Sequence, residues 1–269
     1  MKKIMPNNLK WEVLTNPVSI NGVNYNSKKA LLRSDTGELI GIRSKHYHPV
    51  FNRDLNLLKN KLIQNNLFEF KGFSEFQNGK KILGYFKCSE NLNIINQPVR
   101  DYLIIGNTHD ATSKLFIGSS NYMIRCKNQF SEKIRNIEWR HDKPFDLSKI
   151  NIDELIHSYL IGRQKIHREM EILENKTARF STIQRLAFNL MENSRDQNKI
   201  EDNKHSRKTI QLINCINREM RVLGPNLWAV FNGVTMYTSN YLKGNPGFGI
   251  VNGEGERMNR VAKQFLLNM

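Results

Sequence analysis

The spacing of apolar residues changes near the middle of the chain, and no other feature constrains the fold as strongly. Before about Lys143, apolar and polar residues alternate along short segments, whereas after it apolar residues recur every three to four positions. Alternation places apolar side chains on one face of a strand, and the longer spacing places them on one side of a helix. The sequence therefore predicts an α+β fold. We expect an antiparallel β-sheet built from hairpins with one packed helix over residues 1–145, and a mainly helical region over 146–269 packed on it as one unit.

Turn-forming residues between the alternating segments predict three hairpins that together make one sheet. The paired segments are 30–34 with 39–47, 68–76 with 82–86, and 102–105 with 114–126, the last interrupted at 118–120. The second pair is joined at Asn78-Gly79, a dipeptide typical of a turn with positive φ at both residues. Between the first two pairs, a leucine-rich segment predicts a helix capped at Asn52.

The second half of the chain predicts a long helix from about Asp153, followed by shorter helices. One of these is expected to be capped at Ser181, and another to end at Gly224-Pro225. The segment "NLWAVFNGVTMYTSNYL" is compatible with helix or strand, and its apolar spacing favours a helix. The final stretch predicts a Gly-rich loop that leads into a terminal helix.

The charge is strongly unbalanced, with 41 Lys and Arg against 25 Asp and Glu and a formal net charge of +16. Such a balance indicates a polyanionic partner such as nucleic acid, and the alternative is a solvated basic surface. Two strand regions are net positive: Lys28 to Lys61 has 8 basic and 3 acidic residues, and Lys114 to Lys143 has 7 and 3.

Basic and aromatic residues are interleaved in these two regions, which is typical of proteins that neutralise phosphates while stacking on bases. Arg43, Lys45 and Tyr47 are expected to alternate onto one face of a strand. The candidate nucleic-acid-binding residues are Arg33, Arg43, Lys45, Tyr47, Arg125, Lys127, Arg135 and Arg140. The alternative is that the aromatic residues belong to the core and the charges to a solvated face.

Three histidines are candidates for chemistry. His109-Asp110 could pair a general base with a carboxylate, but adjacent strand residues point to opposite faces, so a turn role is favoured. His46 and His48 lie two apart on a predicted strand, a spacing that two metal ligands can use, yet no third ligand is indicated. We therefore expect no catalytic residue, no metal and no cofactor, with the two imidazoles facing solvent or phosphate.

The remaining composition indicates a soluble cytoplasmic protein. Cys88, Cys126 and Cys215 are odd in number and far apart, which favours reduced, buried thiols over a disulfide framework. No apolar run approaches the roughly 18 residues that a membrane-spanning helix needs, so no membrane partner is expected.

Four segments occur in an order that resembles a known family. They are "LLRSDTGELIGIRSKHYHPVFN", "YLIIGNTHDATSKLFIGSSNYMIRCKNQF", "LWAVFNGVTMYTS" and "NGEGERMNRVAKQFL". In this order the chain resembles the phage/plasmid-like conserved proteins, a domain of unknown function numbered 932. The resemblance implies a phage, prophage or plasmid source, hence the host cytoplasm, and no established activity. The family tends to have His-Asp-Gly where this chain has Ala111 after Asp110, so a positive φ is not required there.

The sheet-then-helix layout is also similar, at the level of fold alone, to the single-strand annealing proteins of phage recombination. The leading hypothesis is therefore a non-enzymatic nucleic-acid-binding protein that binds or anneals single-stranded DNA in recombination or replication. The alternatives are an enzyme of phage nucleotide or host-takeover chemistry that uses His46, His48 and His109, and a protein-binding inhibitor of host defence. A basic groove would favour the first, a pocket holding histidines the second, and a flat exposed apolar patch the third. A homo-oligomer is compatible with each.

Overall fold

The computed structural model describes residues 6–89, 92–94, 97–123, 129–191, 206–242 and 246–269. Within these ranges, only the backbone is described at 92–94, 97–99, 122–123, 129–130, 132–137 and 246–247. Two antiparallel sheets are accompanied by helices that lie mainly in the C-terminal half, which confirms the α+β fold.

The first sheet has three antiparallel strands in the order β1 (Val13–Ile20), β2 (Val23–Arg33) and β3 (Leu39–Ser44). The prediction that all hairpins share one sheet is wrong, because β2 pairs with β1 and β3 only. The strand β1 and the first half of β2 were not predicted.

The second sheet has the strand order β4-β5-β7-β8-β9, with the short β6 paired to β7. Its strands are β4 (Phe68–Phe76), β5 (Lys81–Cys88), β6 (Leu92–Ile94), β7 (Gln97–Thr108), β8 (Leu115–Met123) and β9 (Gln129–Trp139). Positive φ angles of 56° and 82° at Asn78 and Gly79 confirm the turn between β4 and β5. The predicted break at 118–120 is wrong: β8 runs through it, because strands pair on both of its sides.

The helices are α1 (Asn52–Ile63), α2 (Ile152–Glu174), α3 (Phe180–Met191), α4 (Arg207–Leu223), α5 (Leu227–Asn240), α6 (Pro246–Asn252) and α7 (Glu254–Leu267). The long helix near Asp153, the helix end at Gly224 and the helical α5 are confirmed. The helix α6 replaces part of the predicted Gly-rich loop. Ser181 is not a cap, since α3 already begins at Phe180.

The predicted cap of α1 is displaced by one residue, because Asn52 is the first helical residue and Phe51 is the N-cap. The carboxylate of Glu12 accepts the N–H groups of Asn52 and Arg53, at 3.1 and 2.7 Å. Two of the N–H groups that a helix start leaves unpaired are thereby satisfied from the segment before β1. The side chain of Asn52 is thus free for the contacts described below.

The chain divides into two compact units, each with its own core. The first comprises Met1–Glu90, Asp101–Ser119 and Lys133–Leu160, and its core contains Leu31, Leu55 and Phe86, with Leu155 and Tyr159 from the start of α2. The second comprises Asn91–Arg100, Ser120–Glu132 and Ile161–Met269, and it is centred on the almost fully buried α5. No helix within the described ranges has the length and apolar character needed to cross a membrane.

Candidate nucleic-acid interface

Arg33 lies at the end of β2 and is held by two carboxylates. Its guanidinium nitrogens lie 2.8 Å from Asp35 Oδ2 and 2.7 Å from Glu75 Oε2, and its Cζ lies 4.0 Å from the centre of the Trp11 ring. The hydrogen bond to Asp35 is the largest cause of its raised pKa. Only 12% of the side chain is exposed. The charge of Arg33 is therefore compensated within the protein, and its first role is structural.

The predicted strand face shared by Arg43, Lys45 and Tyr47 is wrong, because β3 ends at Ser44. Lys45 is exposed in the turn that follows the strand. Arg43 donates hydrogen bonds to the backbone carbonyls of Ile42, at 2.8 Å, and Asp110. The buried Nε of Arg43 has no hydrogen-bond partner among the described residues.

Tyr47 is a core residue whose side chain points at the β7–β8 connection. It is 7% exposed, and its hydroxyl donates to the carbonyls of Thr108 and His109 at 3.3 and 3.2 Å. Its ring lies 5.1 Å from the ring of His141, measured between centroids. Burial raises the pKa of the Tyr47 hydroxyl. In this conformation the ring is not accessible to a base.

The other four candidates are only partly described. Arg125 and Lys127 lie outside the described residues. The backbone of Arg135 belongs to β9, but its side chain is also outside the described part of the chain. Arg140 is exposed and directly follows β9. Contact of these residues with nucleic acid stays a prediction.

His109 is fully buried and bridges two asparagines. Its Nε2 donates to Asn52 Oδ1 at 2.9 Å, and its Nδ1 accepts from Asn107 Nδ2 at 3.3 Å. The assignment follows from Asn52 Nδ2, which donates to the carbonyl of Trp11 at 2.8 Å and so leaves Oδ1 towards the imidazole. Burial lowers the pKa of His109 to about 3, so the neutral form persists at physiological pH. The imidazole therefore links Asn52 and Asn107 inside the core, and it has no exposed nitrogen for proton transfer to a substrate.

The buried His109 should make stability depend on pH. Below the ordinary pKa of 6.5, the unfolded chain takes up a proton at this residue, whereas the folded chain stays neutral down to about pH 3. Within this window, stability should fall with decreasing pH by up to about 1.4 kcal/mol per pH unit from this residue. Urea unfolding of the wild type and of His109→Gln at several pH values should show a shallower slope in the variant.

The matched control is His46→Gln, since His46 is exposed. This variant should keep the wild-type slope. The buried His141 has a lowered pKa for the same reason, desolvation, and should leave a residual slope in both variants. Equal slopes for wild type and His109→Gln would contradict the assignment of a neutral, buried imidazole.

Asp110 and Ala111 form the turn after β7. Asp110 Oδ1 accepts from the backbone N of Thr112 at 3.1 Å and from its hydroxyl at 2.6 Å, which confirms the expected turn role. Ala111 nevertheless adopts a φ of 56°. The turn thus keeps the left-handed geometry that glycine would adopt more easily, although the residue is alanine.

The histidine pair does not form a metal site with other described residues. His46 lies in the turn after β3 and His48 beyond it, so the predicted strand spacing is absent. The described residues contain no group of three His, Cys, Asp or Glu side chains that could hold a metal ion. The backbone of His48 instead joins His141, with its N–H 2.8 Å from the carbonyl of that residue.

The hairpin of β1 and β2 carries an exposed surface that sequence reasoning missed. Residues 14–29, here called the arm, are exposed apart from the half-buried Val18 and Lys29. The tip is Asn21-Gly22, with φ angles of 50° and 80°. This Asn-Gly dipeptide, one of four in the chain, was the signal that could have located the hairpin.

One side of the arm contains an open groove of about 270 Å³. Its lining includes Asn16, Tyr25, Asn26, Lys28 and Lys29. Tyr25 is 45% exposed, so its ring is accessible, in contrast to that of Tyr47. The residues that line the groove thus include one exposed aromatic residue, two lysines and two asparagines.

The cations of the arm lack compensating carboxylates. No Asp or Glu occurs from Val13 to Ser34. Lys28 and Lys29 form no ion pair with any described residue, and neither does Lys45 on the neighbouring turn. Lys29 is directly opposite Arg43 across the β2–β3 pair, an arrangement of like charges that costs stability unless an anion is nearby. The base of the arm, with Lys28, Lys29 and the neighbouring Lys45, is therefore an unneutralised basic surface.

The outer face of the same sheet is apolar. Leu14, Leu32 and Leu39 are aligned across the three strands, next to Ala30 and Ile42. Leu14, Leu39 and Ile42 are 46%, 49% and 44% exposed. A protein partner or a second copy of the chain would bind to this apolar face. The protein-binding alternative and self-association both stay predictions.

These features define an α+β protein with a basic hairpin arm and a buried histidine that connects strand to helix. A family model described as "Domain of unknown function (DUF932)" matches residues 39–263, and the chain belongs to that family. The match confirms the family resemblance seen in the sequence. The arm lies before the matched residues. No curated protein and no solved structure shows significant similarity to the chain.

Proposed function

We propose that this protein binds or anneals single-stranded DNA of a phage, prophage or plasmid through the arm, in recombination or replication. The single observation that carries the proposal is the groove in which Tyr25 lies beside Lys28 and Lys29 on a segment without acidic residues. Single strands are bound where cations neutralise the backbone and aromatic rings stack on bases.

The proposed site lies beside the residues that the sequence favoured, not on them. Arg33 is paired with two carboxylates and Tyr47 is buried, so both serve the fold first. Lys45 and Arg43 adjoin the base of the arm, because Arg43 pairs with Lys29 and the N–H of Lys45 donates to Ser27. Arg43 and Lys45, two of the predicted residues, therefore extend the basic surface of the arm.

The test is a salt titration of affinity for single-stranded DNA. Each phosphate contact should contribute about 0.7 to the slope of log affinity against log salt. The double variant Lys28→Ala, Lys29→Ala should therefore lower the slope by about 1.4 and the affinity about tenfold at physiological salt. Tyr25→Ala should lower affinity with little change of slope, and Tyr25→Phe should retain it.

The matched control is the double variant Lys10→Ala, Lys61→Ala. Both lysines are exposed, and their removal changes the net charge by the same amount. If the control weakens binding as much as the arm variant, the affinity comes from the overall charge and the proposed site is wrong. If the wild type shows no salt-dependent binding, the proposed function is wrong.

A further inference from the structure

The arm ends in two exposed apolar side chains. Ile20 and Val23 flank the Asn21-Gly22 turn, pair with each other across the hairpin, and are 54% and 59% exposed. Paired residues of neighbouring strands project on the same face. The tip therefore presents a compact apolar pair, and neither side chain belongs to either hydrophobic core.

This tip lies next to the proposed site along the hairpin. Val23 comes two residues before Tyr25 in β2, and Lys28 and Lys29 follow towards the base. The register of β1 and β2 shifts between Pro17 and Ser19, so these side chains do not form one regularly alternating series. Along the strand, Val23 and Lys29 are at most about 20 Å apart. The hairpin thus changes from apolar at the tip, through an aromatic ring, to cations at the base of the arm.

The order of these groups suits one kind of nucleic-acid structure. Apolar side chains such as Ile insert between base steps and partly unstack them in proteins that deform duplexes. An aromatic ring stacks on bases that are already unpaired, and ammonium groups bind the backbone. Unstacking costs least where a duplex ends, because one side of the last base pair lacks a neighbour.

We infer that the arm recognises the junction between duplex and single-stranded DNA, with Ile20 and Val23 placed against the terminal base pair. The single strand that leaves the junction then follows Tyr25 towards Lys28 and Lys29. This inference rests on the proposed function, since it assigns the same groove to the single-stranded side of the junction. A protein that anneals strands must act where a duplex is growing, and the tip provides a contact for that end.

The test compares a DNA fork, with a duplex stem and two unpaired arms, against the unpaired strand alone. A 2-aminopurine in the last base pair of the stem reports unstacking. The wild type should prefer the fork by about tenfold and raise the fluorescence, because the tip gains apolar burial only at the junction. The variant Ile20→Ser, Val23→Ser should lose this preference while binding the single strand with unchanged affinity and salt slope.

Two further double variants serve as controls for the role of the tip. Leu39→Ser, Ile42→Ser removes a similar exposed apolar area from the outer face of the same sheet and should keep the fork preference. Ile20→Phe, Val23→Phe enlarges the tip and should increase both preference and fluorescence. Melting temperature and circular dichroism establish that each variant is folded.

The possible failures are distinguishable. If the wild type binds single strands with a slope that depends on Lys28 and Lys29 but shows no fork preference, the junction inference is overturned and the proposed function stands. If the tip variant keeps the fork preference, the inference is likewise overturned. If no DNA is bound and the lysine variants change nothing, both fail together.

Discussion

Gly233→Ala should lower the free energy of unfolding by about 3 kcal/mol or more, the largest effect expected for so small a change. Gly233 lies in α5, where it faces α4. A methyl group at this position would be 2.3 Å from the Cα and 2.6 Å from the backbone nitrogen of Ile216. Backbone atoms cannot turn aside as a side chain can, so the two helices must separate. Urea unfolding followed by circular dichroism measures the loss.

The matched control is Gly162→Ala in α2. Gly162 also lies within a helix of the second unit, but nothing lies within 4 Å of an added methyl group. Alanine is favoured over glycine inside a helix by roughly 0.5–1 kcal/mol, so this variant should be more stable than the wild type. Opposite signs for the two substitutions would establish the close contact of α4 and α5. A small effect at both positions would contradict it.

Gly79→Val should cost about 3 kcal/mol, for two separate reasons. The φ of 82° is unfavourable for any residue with a Cβ, and most of all for a β-branched one. A Cβ would also lie 2.4 Å from Arg33 Nη1 and 2.5 Å from the Trp11 ring. Arg33 cannot move without disturbing its contacts with Asp35 and Glu75. Thermal and urea unfolding should both register the loss.

Gly22→Val separates the two causes. Gly22 has nearly the same φ, 80°, and follows an asparagine in a hairpin turn, but no atom lies within 4 Å of an added Cβ. Its cost should be limited to the backbone strain, about 1–2 kcal/mol. Should Gly22→Val and Gly79→Val prove equally destabilising, the packing of Trp11 and Arg33 against the second turn would be refuted.

Long, regular patterns were predicted well. The helix near Asp153 has apolar residues at helical spacing over more than five turns, and Gly224 ends α4 with a φ of 85° that glycine adopts readily. The Asn78-Gly79 turn was recognisable for the same local reason. In each case the residues of the element itself determine its conformation.

The arm was missed, and β8 was predicted with a false break, because their patterns are set by their surroundings. The arm is exposed on both faces, so it has no alternation of apolar and polar residues to detect. Gly118, Ser119 and Ser120 read as a break, yet they are buried in a strand that has partners on either side. Whether such segments form strands depends on neighbouring strands that are distant in the sequence.

For the candidate site, the sequence indicates residue types but not the hydrogen-bond and ion-pair partners of each residue. Sequence reasoning counted Arg33 and Tyr47 as available because they are basic and aromatic. Their partners Glu75 and Thr108 are 42 and 61 positions away along the chain, so the fold alone determines that they are occupied. For His109 the sequence favoured a turn role over catalysis, and the bridging of two asparagines by its ring had no local signal.

The tip of the arm also determines how this protein will age. Asparagine followed by glycine is the dipeptide that most readily loses ammonia through a cyclic imide, and Asn21-Gly22 is exposed in a turn without crowding neighbours. The product is a carboxylate in a segment that otherwise has none. Asn78-Gly79 is better protected, because the Asn78 amide donates to Glu38 at 2.7 Å and Gly79 is enclosed by Trp11 and Arg33. Storage should therefore introduce negative charge at the arm before it does so at the Asn78-Gly79 turn.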